Sequence, residues 1–158
     1  MFKKVLFPTD FSKGAENAIK KFAKENQLKI KEFILLYIID RDIIDEFMNG
    51  YSLLYDSEKK ELADVERRFI QKAKEDLKRE KRNLQKYISA DKFKTIVKIG
   101  IPYEEIIKTA DEEKVSVILL PSHGKLTFSH EVFGSVTMRV LRKTKRAVLF
   151  IKAHEEIK

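Results

Sequence analysis

There is no cysteine and no tryptophan in this 158-residue chain, and it holds only five glycines and three prolines. Without cysteine, neither a disulfide framework nor a thiolate centre is available, and the chain is indifferent to redox state, which fits the cytoplasm. No apolar run approaches the length of a membrane span. Met1-Phe2-Lys3-Lys4 leads straight into an apolar strand pattern with no signal-peptide arrangement, so a cytoplasmic, membrane-free protein is expected. No internal repeat, low-complexity tract or linker interrupts the chain. Residues 1–158 therefore read as one domain, long enough to bury ~70% of the surface its unfolded form exposes.

What the chain does have is alternation. β-Branched and apolar runs recur at Lys4 to Phe7, Phe33 to Ile39, Thr95 to Ile99, Val117 to Leu120 and Ala147 to Ile151. Longer helical patterns separate them at Ser12 to Glu25, Ser57 to Ile88, Pro102 to Glu113 and Ser135 to Thr144. Strands alternating with helices predict an α/β fold: a single-domain, open, five-stranded parallel sheet, doubly wound, with helices on both faces. Punctuation agrees with this. Pro102 followed by Glu104 and Glu105 suits a first helical turn, where a missing N–H costs nothing and acidic residues complement the helix dipole. Gly100 and Gly134 each stand at a passage from strand to helix.

The most informative stretch follows the fourth strand. Pro121-Ser122-His123-Gly124-Lys125 is followed, with nine residues between Gly124 and the next glycine, by Gly134-Ser135, which opens a basic amphipathic helix. Two glycines let backbone approach a ligand with no Cβ in the way. Ser135 stands where an N-cap would aim the free N–H groups of Val136 and Thr137 at a phosphate. The pattern predicts an anion cradle, with a nucleotide as guest. Lys125 either reaches a phosphate as a point charge or lies solvated on the loop.

Gly124-x9-Gly134-Ser135 matches most of a G-x2-G-x9-G-[S/T] signature. With it go the opening Lys4-Val5-Leu6-Phe7-Pro8-Thr9-Asp10-Phe11-Ser12, the segment Ile34-Leu35-Leu36-Tyr37-Ile38-Ile39-Asp40, and Gly100-Ile101-Pro102-Tyr103-Glu104-Glu105-Ile106. On these residues the chain resembles the universal stress protein family over nearly its whole length. The resemblance implies a strand order in which the first and fourth strands are central neighbours, with a ligand crevice at their carboxyl ends. The two unusual loops, Pro8-Thr9-Asp10 and Pro121 to Gly134, follow those two strands. It also implies ATP or AMP as ligand, with Asp10 beside the adenosine, the backbone near Ile38 at the adenine edge, and Gly124, Gly134, Ser135 and Val136 on phosphates. The candidate nucleotide site is then Pro8, Thr9, Asp10, Ile38, Pro121, Ser122, His123, Gly124, Lys125, Gly134, Ser135, Val136 and Thr137. Asp10 and Ser135 equally suit plain helix caps. Pro121 replaces the first glycine of the signature; its fixed φ and missing N–H are expected to weaken contact near ribose and base while leaving the phosphate cradle.

Other chemistries find less support. There is no G-x-x-x-x-G-K-[S/T] loop and no G-x-G-x-x-G fingerprint. His123 and His130 share a loop with Ser122, Ser129 and Glu131, but their spacing is neither that of a helical zinc site nor of a triad, so no catalytic residue and no protein-held metal is assigned. Magnesium would be held through the ligand's phosphates. The net charge of +8 raises nucleic acid as a partner. Arg67, Arg68, Lys72, Lys74, Lys78, Arg79, Lys81, Arg82 and Lys86 recur along one helix, yet acidic residues interleave them, as in Asp64 with Arg68 and Glu75 with Arg79, so a solvated face is expected. The opposite stripe, Leu62, Val65, Phe69, Ala73, Leu77, Leu84 and Ile88, reads as core. The basic residues Arg139, Arg142, Lys143, Lys145 and Arg146 complement the end of the last helix.

Asp40 to Ser57, rich in Phe47, Met48, Tyr51, Leu53, Leu54 and Tyr55, reads as an irregular start to the long helix, with a lid or partner patch as the alternative. The final strand, Ala147 to Ile151, is apolar throughout and would leave a bare sheet edge, so a homodimer through it is expected, as the resemblance also implies. The functional reading is an ATP- or AMP-binding regulator or adaptor with an unknown protein partner. A nucleotide-independent dimeric scaffold and a weak ATP-hydrolysing enzyme are the alternatives.

Overall fold

The computed structural model describes residues 2–54, 61–121 and 134–152, with backbone alone at 51–54. Five strands, β1 (Phe2–Pro8), β2 (Lys29–Asp40), β3 (Ser89–Gly100), β4 (Val117–Pro121) and β5 (Ala147–Ile151), pair in parallel in the order β3-β2-β1-β4-β5. The helices are α1 (Lys13–Asn26), α2 (Arg41–Leu54), α3 (Leu62–Leu84), α4 (Pro102–Glu112) and α5 (Ser135–Lys143). This is the expected doubly wound α/β domain, with β1 and β4 as central neighbours.

A parallel sheet buried on both faces needs strands that are apolar at consecutive positions. β1 and β4 supply them, and successive side chains go to opposite sides. Val5, Phe7, Val117 and Leu119 join Phe33 and Leu35 under Ala15, Ala18, Ile19 and Ala23 of α1 and Leu77 and Leu84 of α3. Leu6, Ile34, Leu36, Ile118 and Leu120 pack on the other face with Ile106 and Ala110 of α4 and Val140 of α5.

Three expectations change. β2 and β3 are each twelve residues long, well beyond the apolar runs. Their first halves carry Lys31, Glu32, Asp91 and Lys92, and pairing between the strands carries these polar residues into the sheet. Glu32 joins Lys4 at 3.3 Å and Lys92 at 3.8 Å across three strands. Next, residues 41–54 form a separate helix rather than an irregular start to the long one. Asp40 Oδ1 accepts the N–H of Asp42 at 3.0 Å, so α2 begins the moment β2 ends. Ile44 is buried and Met48 packs beneath, while Phe47 is 43% exposed and meets Phe69 edge-on at 5.8 Å. The side chains of Tyr51, Leu53, Leu54 and Tyr55 lie outside the described residues. Finally, Leu62 of the supposed core stripe is exposed, whereas Val65, Ala73, Leu77, Leu84 and Ile88 are buried.

The basic face of α3 is exposed, and its ion pairs are offset from those expected by spacing. Arg67 meets Asp64 at 3.1 Å, and Asp76 meets Arg79 at 3.6 Å and Lys72 at 3.8 Å. Among the described residues no helix is long and apolar enough to cross a membrane.

Candidate functional site

The reversal of strand order between β1 and β4 opens a crevice at their carboxyl ends, the usual ligand position in open α/β sheets. A cavity of about 280 Å³ occupies it, walled by Pro8 at the end of β1, Thr9 and Asp10 after it, Leu36, Tyr37 and Ile38 of β2, Leu120 and Pro121 of β4, Pro102 and Ile106 of α4, and Val136 and Thr137 of α5.

Unequal strand lengths shape it. β1 ends at Pro8 opposite Leu36, but β2 continues to Asp40. The Thr9 N–H donates to the Leu36 carbonyl at 2.8 Å, so that carbonyl faces β1. With a period of two along a strand, the N–H and C=O of Ile38 face the same way, into the space beyond the end of β1. The backbone of Ile38 is thereby offered to a ligand.

The loop after β1 is wound tightly. The Asp10 carboxylate accepts the Ser12 N–H at 2.8 Å, and the Phe11 N–H donates to the Thr9 hydroxyl at 3.0 Å. These bonds hold Phe11 at φ 63, a left-handed conformation that costs a bulky residue about 1–2 kcal/mol. Its ring packs against that of Tyr37 at a tilt of 39°, centroids 4.4 Å apart, which offsets part of that strain. Ser12 caps α1 by accepting from the Ala15 N–H at 3.2 Å, leaving Asp10 at the rim as an exposed turn residue rather than the cap.

At the opposite wall, Gly134 is the N-cap of α5 and contributes no side-chain bond; Ser135 is the first helical residue. Ser135 is thus not the cap that its type predicts. With no side-chain cap, the N–H groups at the start of α5 point outward without partners from the helix. The first turn holds no acidic residue, and Arg142 and Lys143 sit in the last. An anion at that start meets the positive end of the helix, whose own first turn holds no opposing charge. Further along, Arg139 and Lys143 lie over the Tyr103 ring at 5.1 and 5.0 Å. Arg146 bonds Asp111 at 3.0 Å, so these cations are tied to α4 and its end.

Of the thirteen candidate residues, Pro8, Thr9, Asp10, Ile38, Pro121, Val136 and Thr137 come together around the cavity. Gly134 and Ser135 stand at the adjacent helix start. Ser122, His123, Gly124 and Lys125 lie outside the described residues, as does His130. Pro121 is buried as the last residue of β4, paired with Ile151. Sequence reasoning missed the apolar walls, Leu36, Tyr37, Leu120, Pro102 and Ile106. It also missed Glu80, which is 5% exposed and accepts the Thr9 hydroxyl at 2.8 and 2.9 Å. A signal for it existed: after Ala73 and Leu77 the core stripe of α3 is due another buried position before Leu84, and Glu80 fills it. Burial, with Glu16 and Asp10 nearby, pushes its carboxyl up to about 7 against the lowering effects of the Thr9 bond and Lys20. Burial also raises the Tyr37 phenol, as do Asp76, Asp10 and Asp40. Among the described residues no cluster of three or more His, Asp or Glu side chains is arranged to hold a metal.

A doubly wound parallel sheet with a crevice at its switch point, flanked by a helix start that has no side-chain cap, defines the class as a Rossmann-like α/β domain. More particularly, the chain belongs to the universal stress protein family, whose model matches residues 1–152. It is 37% identical over 160 residues to Universal stress protein MJ0577 of Methanocaldococcus jannaschii, covering 96% of each chain. The solved structure of MJ0577 superposes with a TM-score of 0.73 at 33% identity over 99% of both chains. That of hypothetical protein PH0823 superposes at 0.79 with 42% identity, again over 99% of both. A more distant universal stress protein, from Archaeoglobus fulgidus, has been solved in complex with dAMP; it shares the fold at a TM-score of 0.53 and 19% identity, covering 96% of this chain and 98% of its own.

Proposed function

We propose that this protein binds an adenine nucleotide, ATP or AMP, in the switch-point crevice and acts as a nucleotide-dependent regulator or adaptor. The observation that carries the reading is the convergence of two kinds of recognition surface on one cavity. The apolar side, with Tyr37, Ile106, Leu120 and the strand edge at Ile38, suits a purine. The other side is the start of α5, whose N–H groups and dipole suit phosphates. The dAMP complex of the Archaeoglobus fulgidus relative supports an adenine nucleotide as the ligand class. Asp10, at the rim between them, is positioned to accept from ribose hydroxyls. Magnesium would be held through the phosphates.

Gly134 has φ −63 and ψ 161, a backbone any residue adopts, so its value to the site is the missing Cβ rather than its conformational freedom. Gly134→Val is therefore expected to fold and yet weaken ATP by at least roughly tenfold, or ~1.4 kcal/mol. Replacing Arg67 and Arg68 of α3, outside the crevice, is expected to leave binding unchanged. Titration calorimetry on folded variants tests both. A silent glycine change together with a damaging arginine change would transfer the site to the basic helix. Chromatographic identification of any nucleotide retained on purification is an independent check.

A homodimer through β5 forms the second half of the proposal. β5 is an outer strand, and Val148, Leu149 and Phe150 are only half-buried. A symmetric copy would cover that edge and its apolar flank. Sedimentation at micromolar concentration is expected to show twice the monomer mass; a monomer there removes this half and leaves nucleotide binding standing.

A further inference from the structure

Glu80 is the one buried acid of the described structure, and it touches the crevice only through another residue. Thr9 is 7% exposed, and its hydroxyl lies 2.8 and 2.9 Å from the two Glu80 oxygens, bridging 71 positions of sequence between α3 and the loop after β1. The same hydroxyl accepts the Phe11 N–H, and the Thr9 N–H is bound to Leu36. Thr9 is thus the knot that holds Phe11 in its left-handed conformation and presents Asp10 at the rim. Behind it lies a second cavity of about 280 Å³, lined by Phe11, Glu16, Asp76, Arg79, Glu80 and Asn83 and separate from the ligand crevice.

A hydroxyl has one proton and two lone pairs. One lone pair of Thr9 is used by the Phe11 N–H. If Glu80 is ionised, both short contacts must share the single Thr9 proton. If it is neutral, its own O–H donates to the second lone pair while its carbonyl accepts the Thr9 proton, and both contacts become full hydrogen bonds. Burial and the acidic surroundings oppose ionisation, and they outweigh the Thr9 proton and Lys20, which act the other way. Asp10 on the loop, Glu16 on α1 and Asp76 on α3 are acidic, and the Tyr37 phenol of β2 faces the same region. The nearby cations are engaged elsewhere, Lys20 with Glu16 at 2.6 Å and Arg79 with Asp76 at 3.6 Å. Among the described residues no cation pairs with Glu80.

We propose that Glu80 is a positioning residue for the crevice: through the Thr9 hydroxyl it holds Thr9, Asp10 and Phe11 in the ligand-binding arrangement, and it holds them most firmly in its neutral form. The ligand half of this inference rests on the nucleotide reading above; the loop half does not. Ionisation at alkaline pH replaces two bonds by one shared proton and places a charge behind Asp10. Ligand affinity then falls as pH rises through neutrality. A glutamine in this place keeps both the donor and the acceptor of the neutral acid and never ionises.

The test compares the whole chain with Glu80→Gln and Glu80→Leu. In ATP titrations at pH 6 and pH 8, the ligand's own ionisation is common to all variants. The wild type is expected to lose at least roughly threefold more affinity on going to pH 8 than the glutamine variant does. Glu80→Leu, which leaves the Thr9 hydroxyl unanswered, is expected to bind more weakly than glutamine at both values. Without ligand, the amide resonances of Thr9 and Phe11 are expected to titrate near neutrality in the wild type and to stay constant with glutamine. Equal pH dependence of binding in wild type and Glu80→Gln overturns the ligand half, and loop amides indifferent to pH or to the substitution overturn the loop half. Absence of ATP binding in every variant refutes the nucleotide reading and the ligand half with it, while the amide titration still decides whether Glu80 holds the loop.

Discussion

Replacing Phe33 by alanine is expected to cost the fold roughly 3–5 kcal/mol, a large part of the stability of an ordinary domain. Phe33 is fully buried in β2, pairing with Val5 on one side and Phe93 on the other. Its ring lies 4.7 Å from that of Phe93 and 6.1 Å from that of Phe7. The substitution removes the ring at the point where α1 and α3 press on the sheet, so transfer and cavity terms add. Phe47→Ala on α2 makes the control. That ring is 43% exposed, and its loss is expected to cost about 1 kcal/mol or less. Urea unfolding at neutral pH measures both. Similar losses at the two positions would show that the core is not centred where β2 crosses beneath α1 and α3.

The second large effect concerns pH. In the folded chain the Glu80 carboxyl is pushed up to about 7, from an ordinary value of 4.5, chiefly by burial. Below the ordinary value both folded and unfolded forms hold the proton. Between the two values the folded form keeps it and the unfolded form releases it, so stability falls as pH rises across that window, by about 3 kcal/mol in all. Glu80→Gln removes the titrating group. Its unfolding free energy is expected to match the wild type near pH 4 and to exceed it by about 2–3 kcal/mol at pH 8.

Glu113 does not obscure this. A hydrogen bond from Lys94, with Lys4 beside it, holds its carboxyl below the usual range, so its stabilising contribution is present above that range and is lost as pH falls toward strong acid. The two windows lie on opposite sides of the ordinary carboxylate value. Denaturant titrations at pH 4, 6 and 8 decide the matter. Wild-type and glutamine curves that stay parallel throughout would mean that the Glu80 carboxyl keeps its ordinary value in the folded state.

The two predictions differ in how far the sequence anticipates them. Phe33 announces itself as a core residue, because it opens an apolar run that can only be a strand buried on both sides. Glu80 does not. It stands on a helix crowded with exposed acids, and only its place in the period of Ala73, Leu77 and Leu84 sets it apart. The same division runs through the site. Pro8, Thr9, Asp10, Pro121, Val136 and Thr137 close a strand, follow one or start a helix, and such positions can be read from local punctuation. Pro102 and Ile106 belong to α4, and they enter the crevice because that helix lies on the same face of the sheet as α5.

What this sequence determined by itself is therefore what depends on neighbours along the chain. That covers the alternation of strand and helix, the class of fold, the family signature and the helix start suited to an anion. Only the tertiary structure decided the overhang of β2 beyond β1, the separation of α2 from α3, the role of Gly134 rather than Ser135 as N-cap, and the grip of Glu80 on Thr9. Pairing energy carried polar Lys31, Glu32, Asp91 and Lys92 into strands, and a buried hydroxyl joined an acid 71 positions away. Those outcomes depend on which surfaces meet in space, and residue spacing along the chain carries no term for that.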